Sequence, residues 1–111
     1  MRDEATDRFN LEKVRREVLR WVVLRTLDAG GHIGLNEDML LNIVTHAEKM
    51  EQVSRMEIRH ELNYLEDREF VRTERERPVW LARITADGTD VVDYTTVPCP
   101  KGIGRPPQPG L

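Results

Sequence analysis

The signals along this chain predict a mainly α fold with a small β-hairpin, an α+β domain around a single core. Three observations predict it. Apolar residues recur at helical spacing up to Glu69. The period then changes to two short β-branched and aromatic runs flanking Glu76-Arg77-Pro78, a natural loop tip. The length of 111 residues suits one core and has no room for a second.

The first helix is expected from Leu11 to Asp28, where Leu11, Val14, Val18 and Val22 lead into an apolar cluster ending at Leu27. Gly30 and Gly31 stop it. His32 to Leu35 is too short for a helix and reads as a brief strand. Asn36 then caps a second helix, because its side chain can accept from the free amides of the first turn. Glu37 and Asp38 suit the positive end of that helix, and Leu35 with Leu40 forms a hydrophobic staple. The expected buried stripe is Leu40, Ile43, Val44 and Ala47. The third helix repeats this grammar, with a Ser54–Glu57 capping box, a Val53–Ile58 staple and a stripe of Ile58, Leu62 and Leu65. Strands are expected within Phe70–Arg75 and Val79–Thr85, followed by a short helix carrying Val91, Val92 and Tyr94. The expected boundaries are a flexible N-terminus at 1–10, a domain at 11–96 and a proline/glycine-rich tail at 97–111. The tail has no apolar periodicity and is expected to add little to the fold.

The order helix, strand, helix, helix, hairpin, short helix defines a winged helix-turn-helix. Several segments then appear in a telling sequence: Arg20-Trp21-Val22-Val23-Leu24-Arg25-Thr26-Leu27, Leu35-Asn36-Glu37, Glu61-Leu62-Asn63-Tyr64-Leu65-Glu66, Ala82-Arg83-Ile84-Thr85-Ala86-Asp87-Gly88, and finally Gly102-Ile103-Gly104-Arg105-Pro106-Pro107. Taken in that order, the chain resembles a family of small winged-helix proteins encoded by Mu-like phages and prophages. The resemblance covers nearly everything from about Arg16 onward, and implies the fold and a bacterial host cell as the setting. The chain departs from winged-helix regulators at large in carrying Glu57, Glu61 and Asp67 on its third helix.

Composition narrows the function classes. The single cysteine, Cys99, excludes an internal disulfide and fits a reducing compartment. The longest apolar run, Trp21 to Leu24, is far short of a membrane span. No leader-like apolar core precedes Asn10. A cytoplasmic protein with no membrane partner is therefore expected. Catalysis is not expected. His60-Glu61 would need a second histidine four residues after the first, and Tyr64 stands there. His46 and His60 lie on different expected helices with no Cys, Asp or Glu at a trustworthy ligand spacing, Cys99 has no His or helix N-terminus beside it to activate it, and no glycine-rich loop resembles a nucleotide site. No cofactor or metal is expected.

Double-stranded DNA is the first partner to weigh. In a helix-turn-helix the second helix of the pair enters the major groove. Here Ser54, Arg55, Arg59, His60 and Asn63 would face the bases and phosphates, with Met56 beside them. Arg72, Arg75 and Arg77 would brace from the hairpin. Against this, the net charge is −3, and Ser54 to Thr85 holds seven arginines and seven acidic residues. Nucleic-acid domains are usually basic. The second reading is a protein-interaction module in phage assembly or packaging. If Trp80, Ala82 and Ile84 face the core, strand alternation turns Val79 and Leu81 outward. With Trp21 they would form a homodimer or partner surface, and the tail would supply a further protein contact.

Overall fold

The structure is a computed structural model. It describes residues 4–108 of the chain, with side chains from Asn10 onward. It is mainly helical with one small three-stranded antiparallel sheet. Helix α1 spans Glu4–Gly30, β1 Leu35–Asn36, α2 Glu37–Asn42, α3 Arg55–Asp67, β2 Val71–Glu74, β3 Leu81–Ile84 and α4 Ala86–Val92. No helix among the described residues is long and apolar enough to cross a membrane.

The caps form as their chemistry requires. Asn36 Oδ1 accepts from the Met39 amide at 2.8 Å. Ser54 Oγ accepts from the Glu57 amide at 3.1 Å, while Glu57 accepts in return from the Ser54 amide at 3.3 Å. On α3 the expected stripe of Ile58, Leu62 and Leu65 is fully buried. Gly31 ends α1 with φ of 65°, the left-handed geometry that favours glycine.

Helix α1 departs from expectation at its start. It is already helical at Glu4, seven residues before the apolar pattern begins. Leu11, Val14 and Val18 are exposed at 70, 53 and 37 %, so they do not belong to the core. The core section is Leu19 to Leu27, which packs on α3, α4 and β3. Residues 1–3 lie outside the described residues, so the expected flexibility of 1–10 meets the structure only from Glu4 onward.

Helix α2 continues into a π-helical turn over Ile43–Ala47, where the Glu48 amide donates to the Ile43 carbonyl at 3.0 Å. A π turn advances through a smaller angle per residue than an α turn. The stripe therefore rotates out of register, and Ala47, expected inside, is exposed while Leu40 and Val44 stay buried.

The hairpin gains a third member. β1 pairs antiparallel with β3, Leu35 opposite Ala82 and Asn36 opposite Leu81, so β3 lies between β1 and β2. Ala82 is buried, and Trp80 and Ile84 are half-buried. Leu81 is flanked on both sides, by Asn36 and Glu74, and it and Val79 are half-buried rather than turned to solvent.

The tail is docked, contrary to expectation. Ile103 enters the core at 7 % exposure. The Gly104 amide donates to the Glu17 carbonyl of α1 at 2.8 Å. Arg105 donates to the carbonyls of Val91 and Thr96, both at 2.9 Å, and the Tyr94 hydroxyl donates to the Pro106 carbonyl at 2.8 Å. No periodicity announced this, because one buried side chain and a few backbone bonds anchor the segment rather than a repeating face. Leu111, the other apolar residue of the tail end, lies outside the described residues. Ile103→Ala should cost about 2–4 kcal/mol of stability, as a buried large-to-small change does. Urea denaturation of the two proteins measures this, and a loss under about 0.5 kcal/mol, the size of an exposed-site effect, would show the tail undocked in solution.

Candidate functional site

The outward face of α3 and the hairpin is the candidate site, and one buried carboxylate organises it. Glu37 is the first residue of α2, and its side chain is fully buried. Arg59 reaches it as a fork, Nε to Oε2 at 2.6 Å and Nη2 to Oε1 at 2.5 Å. Arg55 Nη1 and the Trp80 amide both donate to Oε1, at 3.2 and 3.1 Å. The Glu37 amide in turn donates to the Trp80 carbonyl at 2.8 Å. A second Arg55 nitrogen pairs with Asp38. The Arg59 guanidinium also lies over the Trp80 ring, 4.5 Å from its centroid.

The hairpin arginines are similarly engaged. Arg75 Nη2 lies 2.5 Å from both Asn63 Oδ1 and Glu66 Oε1, and its guanidinium stacks 4.8 Å from the Trp80 centroid. Arg77 and Arg83 both pair with Glu74, at 3.6 and 3.3 Å. Arg72 is exposed, and no carboxylate pairs with it among the described residues. Ser54 is spent on the capping box, though exposed. Asn63 and Met56 are exposed on the outward face, whereas His60, also exposed, lines a groove with Glu12, Arg15 and Arg16 of α1 and lies 3.2 Å from Glu61.

The structure therefore brings together Arg55, Arg59, Asn63 and Arg75, as the helix and strand periods require, but each guanidinium arrives with a carboxylate. Glu61, one of the acids that set the third helix apart in sequence, is buried and paired with Arg20 of α1 at 2.7 Å. Trp21 is buried at 7 % against the edge of Tyr94, so it offers no partner surface. Val79 and Leu81 offer little. Among the described residues the exposed large apolar side chains are others: Leu11, Val14 and Val18 on α1, Ile33, Met39, Met56 and Val97.

Glu37 and Arg20 were missed by sequence reasoning. Glu37 had an adequate local explanation as a first-turn acid, which hid its tertiary role. Arg20 carried a usable signal: it is a charge between Leu19 and Trp21, in a stretch buried on nearly every side. Among the described residues no group of three His, Cys, Asp or Glu side chains is placed to hold a metal ion. Compared with known proteins, the chain matches no family model, no curated protein and no solved structure.

The Arg59 fork holds the Glu37 carboxyl below the ordinary glutamate range, helped by the Trp80 amide and the Arg55 charge and opposed by burial. A carboxyl that titrates lower when folded stabilises the fold above its unfolded value, about 4.3. That stabilisation is lost as the pH falls through the lowered folded value. Glu37→Gln should cost on the order of 1–3 kcal/mol near pH 6 and flatten the stability profile on the acid side of that value. Urea midpoints measured at neutral and acid pH check this, and parallel profiles for the two proteins would remove Glu37 from the account. Arg59→Ala should likewise destabilise, because it leaves a buried carboxylate short of its main partner. It is therefore no clean probe of binding, whereas Arg72→Ala is, and Asn63→Ala gives up only the exposed contact with Arg75.

Proposed function

We propose that this protein is a non-enzymatic, winged-helix protein-interaction module, with the outward face of α2 and α3 as its contact surface. The β1–β3–β2 order and the α2–α3 pair preceding the hairpin support the winged-helix reading. The observation that carries the function is the neutralisation of the outward face. Arg55, Arg59, Arg75 and Arg77, which would have to meet phosphates and bases, are each paired with a carboxylate of the same chain. Met39 and Met56 stand exposed there at 48 and 73 %. Flexible, polarisable methionine among matched charges suits a protein surface better than a polyanion. The resemblance to proteins of Mu-like phages supports phage assembly or packaging in a bacterial host as the setting.

Double-stranded DNA is the second reading. Arg72, with no carboxylate partner among the described residues, and the exposed Asn63 favour it. A photo-crosslinking side chain at Met56, with one at exposed Val97 as control, separates the two readings in the native host. A discrete protein adduct from position 56 alone is expected. In parallel, wild type is titrated on its own upstream duplex and on a scrambled one. If it prefers its own duplex, and Asn63→Ala with Arg72→Ala weakens that preference by about 1–3 kcal/mol per lost base contact, DNA is the partner and the protein-interaction reading fails.

A further inference from the structure

On the flank away from the hairpin, α1, the C-terminal half of α3 and the docked tail enclose an open groove of about 380 Å³. Lys13, Arg16 and Arg20 of α1, Arg68 at the C-terminal cap of α3 and Lys101 of the tail line it, with Glu17 the acid in the wall and Tyr64 the aromatic. We infer that this groove is a second binding site, for the phosphodiester backbone of a nucleic acid strand. The inference is independent of the contact surface proposed for α2 and α3.

The charge pattern carries it. Acidic residues outnumber lysine and arginine in this chain, 20 to 17. On the hairpin side the arginines are mostly neutralised by that surplus. In the groove, Lys13, Arg16, Arg68 and Lys101 have no carboxylate partner among the described residues, while Arg20 alone is paired, with the buried Glu61. Among the described residues, a protein with acids to spare gathers four unmatched cations in this groove.

The groove is also built. Tyr64 has the Arg20 guanidinium 3.5 Å from its ring centroid and the Arg68 guanidinium 3.4 Å from it. Two planar groups at such heights must lie on opposite faces of the ring, so Tyr64 is a spacer that holds two cations apart. Arg20 is fixed further by Glu61 and by the Gly102 carbonyl at 3.0 Å, and Arg68 by the Tyr64 carbonyl at 3.3 Å. Gly102 has φ of 89°, and a Cβ there would meet the Tyr64 hydroxyl at 1.9 Å. The tail therefore closes on the ring only as glycine, and brings Lys101 with it. Side chains held in this way lose little further entropy on binding.

The shape selects a chain over a single small anion. Lys13 and Arg16 stand about one turn apart on α1, and Arg68 and Lys101 share the groove with them, while Arg20 is held by Glu61. One strand of nucleic acid carries a charge about every 3.4 Å, so these unpaired cations can serve about three phosphates. The outer plane of the Arg68 guanidinium is a surface on which an unpaired base can stack. None of these contacts reads a base edge, so binding should be independent of sequence.

The test is fluorescence anisotropy of a labelled oligothymidine of about 16 nucleotides, the upper end of ordinary single-strand site sizes, titrated with the full chain at several salt concentrations. Micromolar to sub-millimolar binding is expected, with a logarithmic salt slope near −2, about −0.7 for each of three phosphates. Lys13→Gln, Arg68→Gln and Lys101→Gln together change only exposed positions. They should weaken binding at least tenfold and flatten the slope, with circular dichroism unchanged. Arg72→Gln, on the other side, should leave both untouched. Binding that survives the triple variant, or falls equally with Arg72→Gln, overturns the site. So does displacement of the oligonucleotide by polyglutamate at equal charge, which would make the groove a general acidic-chain site.

Discussion

The Glu37 carboxylate joins three parts of this protein at once. It heads α2, takes the guanidiniums of Arg55 and Arg59 from α3, and accepts the Trp80 amide at the entry to β3. A carboxylate with no solvent contact must be paired and hydrogen-bonded, since removing such a charge from water costs several kcal/mol. The two arginines are thus held where the helix pair meets the hairpin, and the guanidiniums of Arg59 and Arg75 both lie over the Trp80 ring. The consequence is functional as much as structural. Guanidiniums committed to a buried acid present little free charge to an outside phosphate, so the geometry that positions α3 also neutralises the face it displays.

A second buried pair, Arg20 with Glu61, does the corresponding work on the other side of α3. It joins α1 to α3 as Glu37 joins α2 to α3. Here the surroundings differ: Arg68, Lys101, Lys13 and Arg16 gather around it without matching carboxylates among the described residues. One helix therefore separates two electrostatic environments, matched charge toward the hairpin and surplus positive charge toward the tail. An average of −3 over the chain describes neither.

Much of the fold was legible in single residues. Asn36 and Ser54 have side chains that accept from first-turn amides, and both became caps. Ile58, Leu62 and Leu65 fall on one face of any helix that contains them, and all are buried. The failures have equally local causes. Leu11, Val14 and Val18 have helical spacing and do form helix, but spacing does not say whether another element lies opposite, and none covers them enough to bury them. Val79 and Leu81 alternate as a two-stranded hairpin would require, yet β1 places β3 in the middle of a three-stranded sheet and both side chains are half-buried. Ile103 has no period at all around it and is nevertheless in the core.

The sequence by itself determined the local decisions: where α2 and α3 begin and α1 stops, which α3 residues point inward, where the chain reverses at Glu76–Pro78. These depend on caps, glycine conformations and side-chain periods, all set within a few residues. Tertiary structure alone decided which charges are free. Arg59 meets Glu37 across 22 residues, Arg20 meets Glu61 across 41, and Arg20 meets the Gly102 carbonyl across 82. A side chain's charge is a property of its type, but whether that charge is available depends on what the fold places within a few ångströms of it, since Coulomb energy falls with distance and rises as water is excluded.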